Sequence, residues 1–305
     1  MSIAAVIVTH NRQEKLNLAI DSLLNQSLPV DKIVVVDNQS TDDTLEYLND
    51  KAKSNKELVV IHSDENLGGA GGFYLAIQKA VELGVDWISI ADDDATYDSN
   101  YMQEMDIIAN KNPDIQCFTG TVYEDNEIGL EHRVQIDDFD KLQLSKIPIE
   151  KYQSNFELDV ATFVGVFIKA ELVKDIGLPE KDYFIWYDDI EYSLRIRSKT
   201  KIINNLQSKI YHLTDNNSVG ANGIDRPLGW KDYYGYRNRW KTMSLHIKNK
   251  EVLAKQLRYE YFRYRVGALL KKKGQYSRIA AFHLVNRAFN DFKADRMGKN
   301  DRYLP

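Results

Sequence analysis

Four short apolar runs alternate with helical patterns over the first 91 residues, and this alternation constrains the fold more than any other feature of the chain. The runs occupy residues 3–8, 32–37, 58–63 and 87–91. The second contains an unbroken Ile-Val-Val-Val segment, which is typical of a strand buried inside a parallel sheet. Apolar residues at helical spacing predict helices between the runs. The resulting β-α-β-α-β-α-β order predicts an α/β fold with a mostly parallel sheet flanked by helices.

Two sequence signals indicate where the second and third helices begin. Ser40, followed three residues later by Asp43, has the pattern of a capping box. Four glycines between residues 68 and 72 precede a helix expected from about residue 73 to residue 83, and they permit close backbone approach. Free N–H groups at a helix N-terminus favour anions, so Gly71 and Gly72 are candidates for phosphate contact. The lysine of a P-loop is absent, and a tight loop packed against the sheet is an equal alternative.

Beyond residue 98 the chain continues the sheet and then becomes helical. The pattern predicts a helix at residues 99–110, a strand at 116–123 and an excursion of loops and short strands at 124–158. A second strand at 160–169, a short helix after residue 189 that ends at about residue 197, and a last strand or turn at 209–212 follow. After residue 228 apolar spacing predicts helices over 253–268 and 279–292. We therefore expect a catalytic domain over residues 1–228 and a basic helical C-terminal region over residues 229–305.

The positive charge of the chain is concentrated at its C-terminal end. Residues 226–305 contain 20 Lys and Arg against 6 Asp and Glu, a net charge of +14, so the remainder of the chain carries −19. A basic tail indicates an anionic partner such as a membrane surface, with Lys271, Lys272 and Lys273 among the contacting residues. A solvated helical surface and contact between copies in a homo-oligomer are the alternatives. Nucleic acid is not expected, because no recognised binding motif accompanies the charge.

The cysteine content and hydropathy indicate where the chain works. Cys117 is the only cysteine, so no intramolecular disulfide forms and a reducing, cytoplasmic setting is expected. No apolar run reaches the length needed to span a bilayer. We therefore expect a cytoplasmic protein that reaches a membrane, if at all, from its inner face.

Three consecutive carboxylates, Asp92, Asp93 and Asp94, follow the fourth apolar run. In an extended chain Asp92 and Asp94 face the same side, which suits two oxygen ligands of one hard divalent cation. A solvated acidic turn is the alternative. Thr9, Asp37 and Asp64 also follow apolar runs, and ligands of parallel sheets bind beyond the carboxyl ends of the strands. We therefore expect these residues to share one site.

A second acidic cluster contains Asp188, Asp189 and Glu191. Burial and the neighbouring carboxylate would raise a pKa here, whereas a helix N-terminus would lower it, and the pattern leaves the sign of the shift open. Glu191 and Arg195 are four residues apart and can pair on the surface of the predicted helix. Trp186, two residues before Asp188, offers a flat ring face for a ligand or could equally be part of the core. An acidic first turn without further function is the alternative.

Together these motifs resemble a family 2 glycosyltransferase with the GT-A fold. The resemblance is carried by residues 6–12, 35–40 and 92–94, and residues 66–73 make it closest to the branch that contains galactofuranosyltransferases and some rhamnosyltransferases. Residues 184–195, His212 and residues 233–239 match the galactofuranosyl group in order and approximate spacing. The similarity covers roughly residues 3–245. One departure is Tyr187, where galactofuranosyl relatives place tryptophan, so the acceptor platform stays open.

The resemblance implies a role for each candidate residue. It implies that Asp189 is the catalytic base and that Asp92, Asp94 and His212 bind Mn²⁺ or Mg²⁺. Residues implied to contact the donor, with Asp37 reading its pyrimidine, are Thr9, Arg12, Asp37, Asp64, Gly71, Gly72 and Asp93. Residues implied to contact the acceptor are Trp186, Tyr187, Asp188 and Glu191.

The activity that the resemblance implies is metal-dependent, inverting transfer of galactofuranose from UDP-galactofuranose to a hydroxyl of a glycan acceptor, in the synthesis of cell-surface polysaccharide. A lipid-linked acceptor would fit the basic C-terminal region. One alternative is a rhamnosyltransferase that uses dTDP-rhamnose. Another is a non-catalytic glycan-binding or membrane scaffold, which the intact carboxylates argue against.

Overall fold

The computed structural model describes residues 1–213, 228–270 and 276–304. The strands within these ranges are β1 Ile3–Thr9, β2 Lys32–Asp37, β3 Leu58–His62, β4 Trp87–Ile90, β5 Ala95–Tyr97, β6 Cys117–Glu124, β7 Glu127–Ile128, β8 Arg133–Asp138, β9 Gln143–Lys146, β10 Phe156–Leu158, β11 Val160–Ala161, β12 Val166–Lys169 and β13 Ile202–His212. The α-helices are α1 Gln13–Leu24, α2 Thr44–Ser54, α3 Gly68–Glu82, α4 Tyr101–Lys111, α5 Ala170–Ile176, α6 Asp188–Arg197, α7 Lys231–His246, α8 Lys250–Leu270 and α9 Arg278–Lys293.

Ten strands form one sheet in the order β10-β13-β6-β12-β4-β1-β2-β3, with β5 paired to β13 and β7 to β6. Strands β3, β2, β1 and β4 are mutually parallel, which confirms the prediction from the four apolar runs. β12 is antiparallel to both β4 and β6, so the sheet is mixed from this point outward. The run at residues 160–169, predicted as one strand, is divided at Gly165, which has a φ of 77°. Its first part, β11, joins β8 and β9 in a second sheet.

Helices cover both faces of the sheet, as the alternation predicts. Along β1 the side chains alternate between two cores, with Ile3, Ala5 and Ile7 in one and Ala4 and Val6 in the other. The first core is closed by α1, α2 and α4, and the second by α3, α5 and α6. The helix-flanked fold class is therefore confirmed.

Two predicted helix starts are wrong. Helix α3 begins at Gly68, not near residue 73, so the glycines lie inside it. Because a Cβ on Gly72 would be 2.3 Å from Val8 Cγ1, only glycine lets α3 approach β1 this closely. Helix α2 begins at Thr44 without a side-chain cap hydrogen bond, while Ser40 Oγ accepts the backbone N–H of Asn11 at 3.0 Å. The predicted capping box does not form because Ser40 holds the neighbouring loop.

The C-terminal helices share a hydrophobic core with the remainder of the chain. This core joins Phe184 and Leu194 of the catalytic part with Trp240 of α7 and Leu284 of α9. Helices α7, α8 and α9 confirm the predicted helical region, and no described helix is long and apolar enough to cross a membrane. Lys271, Lys272 and Lys273, which carry part of the expected membrane contact, lie outside the described ranges.

Candidate active site

The carboxyl ends of β1, β2 and β4 bring the first group of candidate residues to one edge of the sheet. Thr9 and Asp37 are register partners at the ends of β1 and β2. Asp93 follows β4, and its buried Oδ2 accepts a hydrogen bond from Thr9 Oγ1 at 2.7 Å. The structure therefore places Thr9 and the Asp92–Asp94 segment together, as the strand pattern predicts.

Arg12 balances much of the negative charge of this segment. Its Nη1 lies 3.2 Å from Asp93 Oδ1 and 3.0 Å from Asp94 Oδ2, while Lys15 Nζ lies 3.8 Å from the same Asp94 oxygen. Burial alone would lower the pKa of Arg12, but the two carboxylates outweigh burial and raise that pKa. The Arg12 side chain remains 47% exposed, so its guanidinium can also reach an anion that enters from solvent.

His212 meets the carboxylates because β13 pairs with β5 so that His212 lies opposite Ala95. Ligand atoms of Asp92, Asp94 and His212 all lie within 4.8 Å of one another. Two carboxylates and one imidazole form a donor set that suits Mn²⁺ and is tolerated by Mg²⁺. His212 Nδ1 is 2.9 Å from Glu124 Oε1, so donation of its proton to Glu124 leaves Nε2, 3.2 Å from Asp94 Oδ1, as the nitrogen that can bind a cation.

Both Asp92 and His212, whose charged groups lie close together in this cluster, have a raised pKa. Burial, reinforced by the charge of Asp94, raises the pKa of Asp92 to about 7. For His212, burial would lower the pKa, but hydrogen bonding and charge from Asp94, with help from Glu124, raise it to about 9. A site that keeps one carboxyl partly protonated and one imidazole charged has excess negative potential, which a divalent cation would relieve.

Two residues behind His212 were missed by the sequence analysis. Glu124 Oε1 also lies 3.0 Å from His132 Nε2, and His132 Nδ1 lies 2.8 Å from Thr162 Oγ1. The hydrogen bond with His132, together with that from His212, lowers the pKa of Glu124 to about 2. Glu124 follows the apolar stretch of β6 as Asp92 follows β4, and this strand-end position could have identified it. His132 lies in an excursion without periodicity and carried no such signal.

Asp37 and Asp64 differ in how they lie at the sheet edge. Asp37 is fully buried, with Oδ2 2.8 Å from His62 Nδ1 and Oδ1 accepting the Ser40 N–H at 3.2 Å. Each carboxylate oxygen of Asp37 therefore has one contact within the protein. Asp64 is exposed, and its backbone carbonyl accepts from Gln39 Nε2 at 2.7 Å.

Most N–H groups at the start of α3 are used within the protein. The N–H groups of Leu67, Gly68 and Ala70 already donate to oxygen atoms of the protein, at 2.9, 2.9 and 3.1 Å. Gly71 is buried, with space for a Cβ blocked at 2.6 Å by the Cβ of Leu67, and Gly72 faces β1. The structure contradicts the phosphate contact expected of Gly71 and Gly72 and favours the packing alternative.

The second acidic cluster begins α6 after an unusual loop. Phe184, Trp186 and Tyr187 have φ values of 67°, 64° and 74°, a region that residues other than glycine seldom occupy. At Phe184 the Ile185 N–H donates to the Tyr183 carbonyl at 2.8 Å, which makes a γ-turn, a strained conformation. Such a loop persists only where its surroundings hold it.

A single buried amide holds that loop. Asn238 Nδ2 donates to the carbonyls of Tyr183, Ile185 and Trp186 at 2.8, 3.0 and 2.9 Å. Its Oδ1 accepts from Arg237 Nε at 3.1 Å, and the side chain is fully buried. The sequence analysis used residues 233–239 only for the family resemblance and missed this positioning role.

The pKa of both aspartates in this cluster is raised, which settles the sign that the sequence left open. Burial raises the pKa of Asp189 to about 6, against the opposing hydrogen bond from the N–H of Ile190. Burial and the charge of Asp189 raise the pKa of Asp188 well above its ordinary value, and the charge of Asp92 contributes. The two acidic clusters are therefore close enough for the charge of Asp92 to act on Asp188.

The Glu191 side chain is buried and is not accessible to an acceptor, so its predicted contact with the acceptor is wrong. It is only 2% exposed, and its Oε2 lies 2.6 Å from Arg195 Nη2 while its Oε1 lies 3.0 Å from His246 Nε2. The predicted Glu191–Arg195 pair is confirmed, although it is buried and not on the surface. Glu191 therefore anchors α6 to α7.

The two aromatic candidates, Trp186 and Tyr187, directly precede Asp188 and are partly exposed. The Trp186 ring lies against Gly235 of α7, where a Cβ would be 2.9 Å from Trp186 Cε3. The Tyr187 hydroxyl lies 3.4 Å from Arg239 Nη1, and Arg239 is itself bound to the buried Glu260. Both rings are thus fixed from behind by helix α7.

Comparison with known sequences agrees with this geometry. The family model described as glycosyl transferase family 2 matches residues 4–177. The chain is 27% identical over 279 residues to galactofuranosyltransferase GlfT1 of Mycobacterium tuberculosis, covering 86% of this chain and 88% of that protein. It is 29% identical over 243 residues to the dTDP-rhamnosyl transferase RfbF of Shigella flexneri, covering 78% of each. The match to GlfT1 of Mycolicibacterium smegmatis, at 27% identity, spans 64% of this chain and slightly less than two thirds, 65%, of that relative.

Solved structures with the same fold include two that carry a uridine nucleotide. S. aureus TarS 1–349 in complex with UDP-GlcNAc superposes with a TM-score of 0.61 at 17% identity, covering 97% of this chain and 82% of that one. GalNAc-T7 with UDP, GalNAc and Mn²⁺ superposes with a TM-score of 0.64 at 14% identity, covering 97% of this chain and 56% of that one. At these identities the similarity shows the fold alone.

Proposed function

Because the chain belongs to glycosyl transferase family 2, a glycosyltransferase family that uses nucleotide-sugar donors, we propose that it transfers galactofuranose from UDP-galactofuranose to a hydroxyl of a glycan acceptor, with inversion. The observation that carries this proposal is the group of Asp92, Asp94 and His212, whose ligand atoms lie within 4.8 Å of one another, with the charge of Asp92 acting on Asp188 next to Asp189. We place the activity in the cytoplasm, at the inner face of the membrane, where cell-surface polysaccharide precursors are built.

The chain's own residues divide the work as follows. Asp92, Asp94 and His212 would hold Mn²⁺ or Mg²⁺, which when bound stabilises negative charge that builds on the leaving diphosphate. Asp189 removes the proton of the acceptor hydroxyl, and its raised pKa suits a general base near neutral pH. Arg12 supplies a further positive charge beside these carboxylates.

Binding of the donor and acceptor uses the surrounding residues. Asp37 and Asp64 lie at the end of the sheet where the pyrimidine would be held, while Thr9 orients Asp93 toward the donor sugar or ribose. Trp186 and Tyr187 offer ring faces to the acceptor next to Asp188. We assign donor and acceptor binding to residues 1–228 and support of the 183–187 loop to residues 229–305, because Asn238 and Gly235 contact that loop.

A donor screen tests the proposal. Purified protein is incubated with UDP-galactofuranose or dTDP-rhamnose, a simple acceptor sugar and Mn²⁺, and released nucleotide and product linkage are measured. We expect turnover with UDP-galactofuranose that EDTA abolishes and Mn²⁺ restores. Turnover with dTDP-rhamnose alone would make the chain a rhamnosyltransferase, which the similarity to RfbF keeps as the second candidate. Binding of a donor without nucleotide release would support a non-catalytic scaffold.

The role of the base is tested by Asp189→Asn, with Asp182→Asn as the matched control, because Asp182 is an exposed aspartate of the same segment. Loss of a general base lowers kcat by about 10²–10⁴-fold, whereas binding of UDP should be unchanged. Asp182→Asn should retain full activity. An Asp189→Asn variant with wild-type kcat would refute the assignment.

A further inference from the structure

Helix α8 carries an apolar stripe on the side that faces away from the protein. Its members are Tyr259, Phe262, Val266, Leu269 and Leu270, all exposed, with Phe262 at 66% and Leu270 at 76%. Their spacing of three, four, three and one residues places them on one face of the helix. The opposite face packs against the core. The fold therefore does not need this set, which we call the α8 stripe.

Cationic side chains border the α8 stripe. At 100° of rotation per residue, Arg258 and Arg263 lie on the two sides of the α8 stripe. Lys255 lies in line with the stripe, one turn before Tyr259. Arg263 stacks on the Tyr259 ring at 5.8 Å, while Lys255 and Arg258 form no ion pair within the described ranges. Of the two acidic residues of α8, Glu260 is buried against Arg239 and does not face outward, whereas Glu251 is exposed in the first turn, more than two turns before Tyr259, where the stripe begins.

We propose that the α8 stripe is a docking surface for an anionic lipid bilayer. A helix with a narrow apolar face bordered by Arg and Lys binds in the plane of a membrane interface, where the apolar side chains enter the acyl boundary and the cations meet lipid phosphates. A second copy of the chain is a poorer occupant, because an isologous contact across this stripe would bring Arg258 and Arg263 of the two copies together.

The structure narrows the expectation from the sequence, which assigned the membrane contact to the basic helices from about residue 250 to residue 293. Arg237 and Arg239 are buried in α7, the former bound to backbone carbonyls and the latter to Glu260, so their charge serves the fold. Arg265 stacks on Phe282 of α9 at 4.6 Å. Much of the basic charge around α7 and α9 is thus used within the protein, and α8 presents the apolar and cationic groups together.

Vesicle sedimentation tests this surface without any sugar donor, so the result is independent of the proposed reaction. The full chain is mixed with vesicles of phosphatidylcholine or of phosphatidylcholine with phosphatidylglycerol. We expect tighter binding to the anionic vesicles. Phe262→Ser/Leu269→Ser should weaken that binding by about a hundredfold, roughly tenfold for each apolar group. Arg258→Gln/Arg263→Gln should weaken it about 25-fold and reduce the preference for anionic lipid, since Lys255 remains.

Leu18→Ser is the matched control, because Leu18 is a 51% exposed apolar residue on α1, and it should bind as wild type. The altered residues are exposed, and thermal unfolding checks that each variant folds. Equal retention by neutral and anionic vesicles would overturn the proposal. A second result would also overturn it. If light scattering shows that the wild type is a dimer, and Phe262→Ser/Leu269→Ser dissociates the dimer while vesicle binding persists, the stripe is an interface between copies.

Discussion

Replacement of Asn238 by alanine should both destabilise the protein and slow the reaction, although Asn238 touches neither substrate in the proposed site. The side-chain amide donates to three loop carbonyls, those of Tyr183, Ile185 and Trp186. Arg237 Nη2 lies 3.3 Å from the Tyr183 carbonyl and continues to serve it, so the substitution leaves two carbonyls without their donor. A buried acceptor left unpaired costs about 1–3 kcal/mol, so for two carbonyls we expect a loss of about 2–6 kcal/mol in the free energy of unfolding.

The same substitution releases backbone strain next to the base. Phe184, Trp186 and Tyr187 all have positive φ values. Each such backbone conformation costs about 1–3 kcal/mol, which contacts with the surrounding structure offset. When the loop relaxes, Asp189 at the start of α6 moves with it. A displacement of about 1 Å can cost on the order of 100-fold in rate, so we expect kcat to fall by about that factor while the dissociation constant for UDP is unchanged.

The assays are urea denaturation, steady-state kinetics and UDP binding by calorimetry. Asn290→Ala is the control, because Asn290 is exposed on α9, and it should behave as wild type. A loss of less than about 1 kcal/mol with wild-type kcat would refute the argument that this amide holds the loop.

Two further predictions follow from named geometry. Since burial raises the pKa of Asp189 to about 6 and a base must be ionised to accept a proton, kcat should fall about tenfold per unit as the pH drops below 6, and a flat pH profile in that range would contradict the assignment. Gly68→Ala should destabilise the protein by about 2 kcal/mol or more, because an added Cβ would lie 2.0 Å from the Phe184 carbonyl oxygen at a φ of +70°. Gly69→Ala is its control in thermal unfolding, because no atom lies within 4 Å of its Cβ position, and it should be neutral or stabilising.

The sheet was the most predictable part of the molecule. Strands β1 to β4 are continuous apolar runs, and a buried parallel strand needs no other signal. The residues that follow such runs converge for a topological reason, so Thr9, Asp37 and Asp92 could be placed at one edge from the sequence alone. The mixed part of the sheet was less accessible, because strand order beyond β6 depends on contacts between distant segments.

The predictions that failed depend on tertiary contacts. Glycine has a low helix propensity, so the sequence pattern starts α3 too late, whereas close packing on Val8 makes the glycines favourable inside it. Glu191 is acidic and follows two candidate site residues, so the sequence alone indicates a site residue. Only the fold shows that its carboxylate pairs with His246, 55 residues later in the chain. The position of Glu124 at the end of β6 was a usable signal, but its partner His212, 88 residues away, could be identified only from the fold.

The anchoring of the 183–187 loop has a consequence for engineering acceptor preference. The Phe184 carbonyl occupies the space above Gly68, the Trp186 ring rests on Gly235, and Asn238 ties the backbone between them. A chimera that imports this loop from a relative would therefore need matching residues from two other segments of the chain, or it would misfold locally. A mutant library that varies only the side chains at 186 and 187 keeps the scaffold and explores new acceptors at far lower risk.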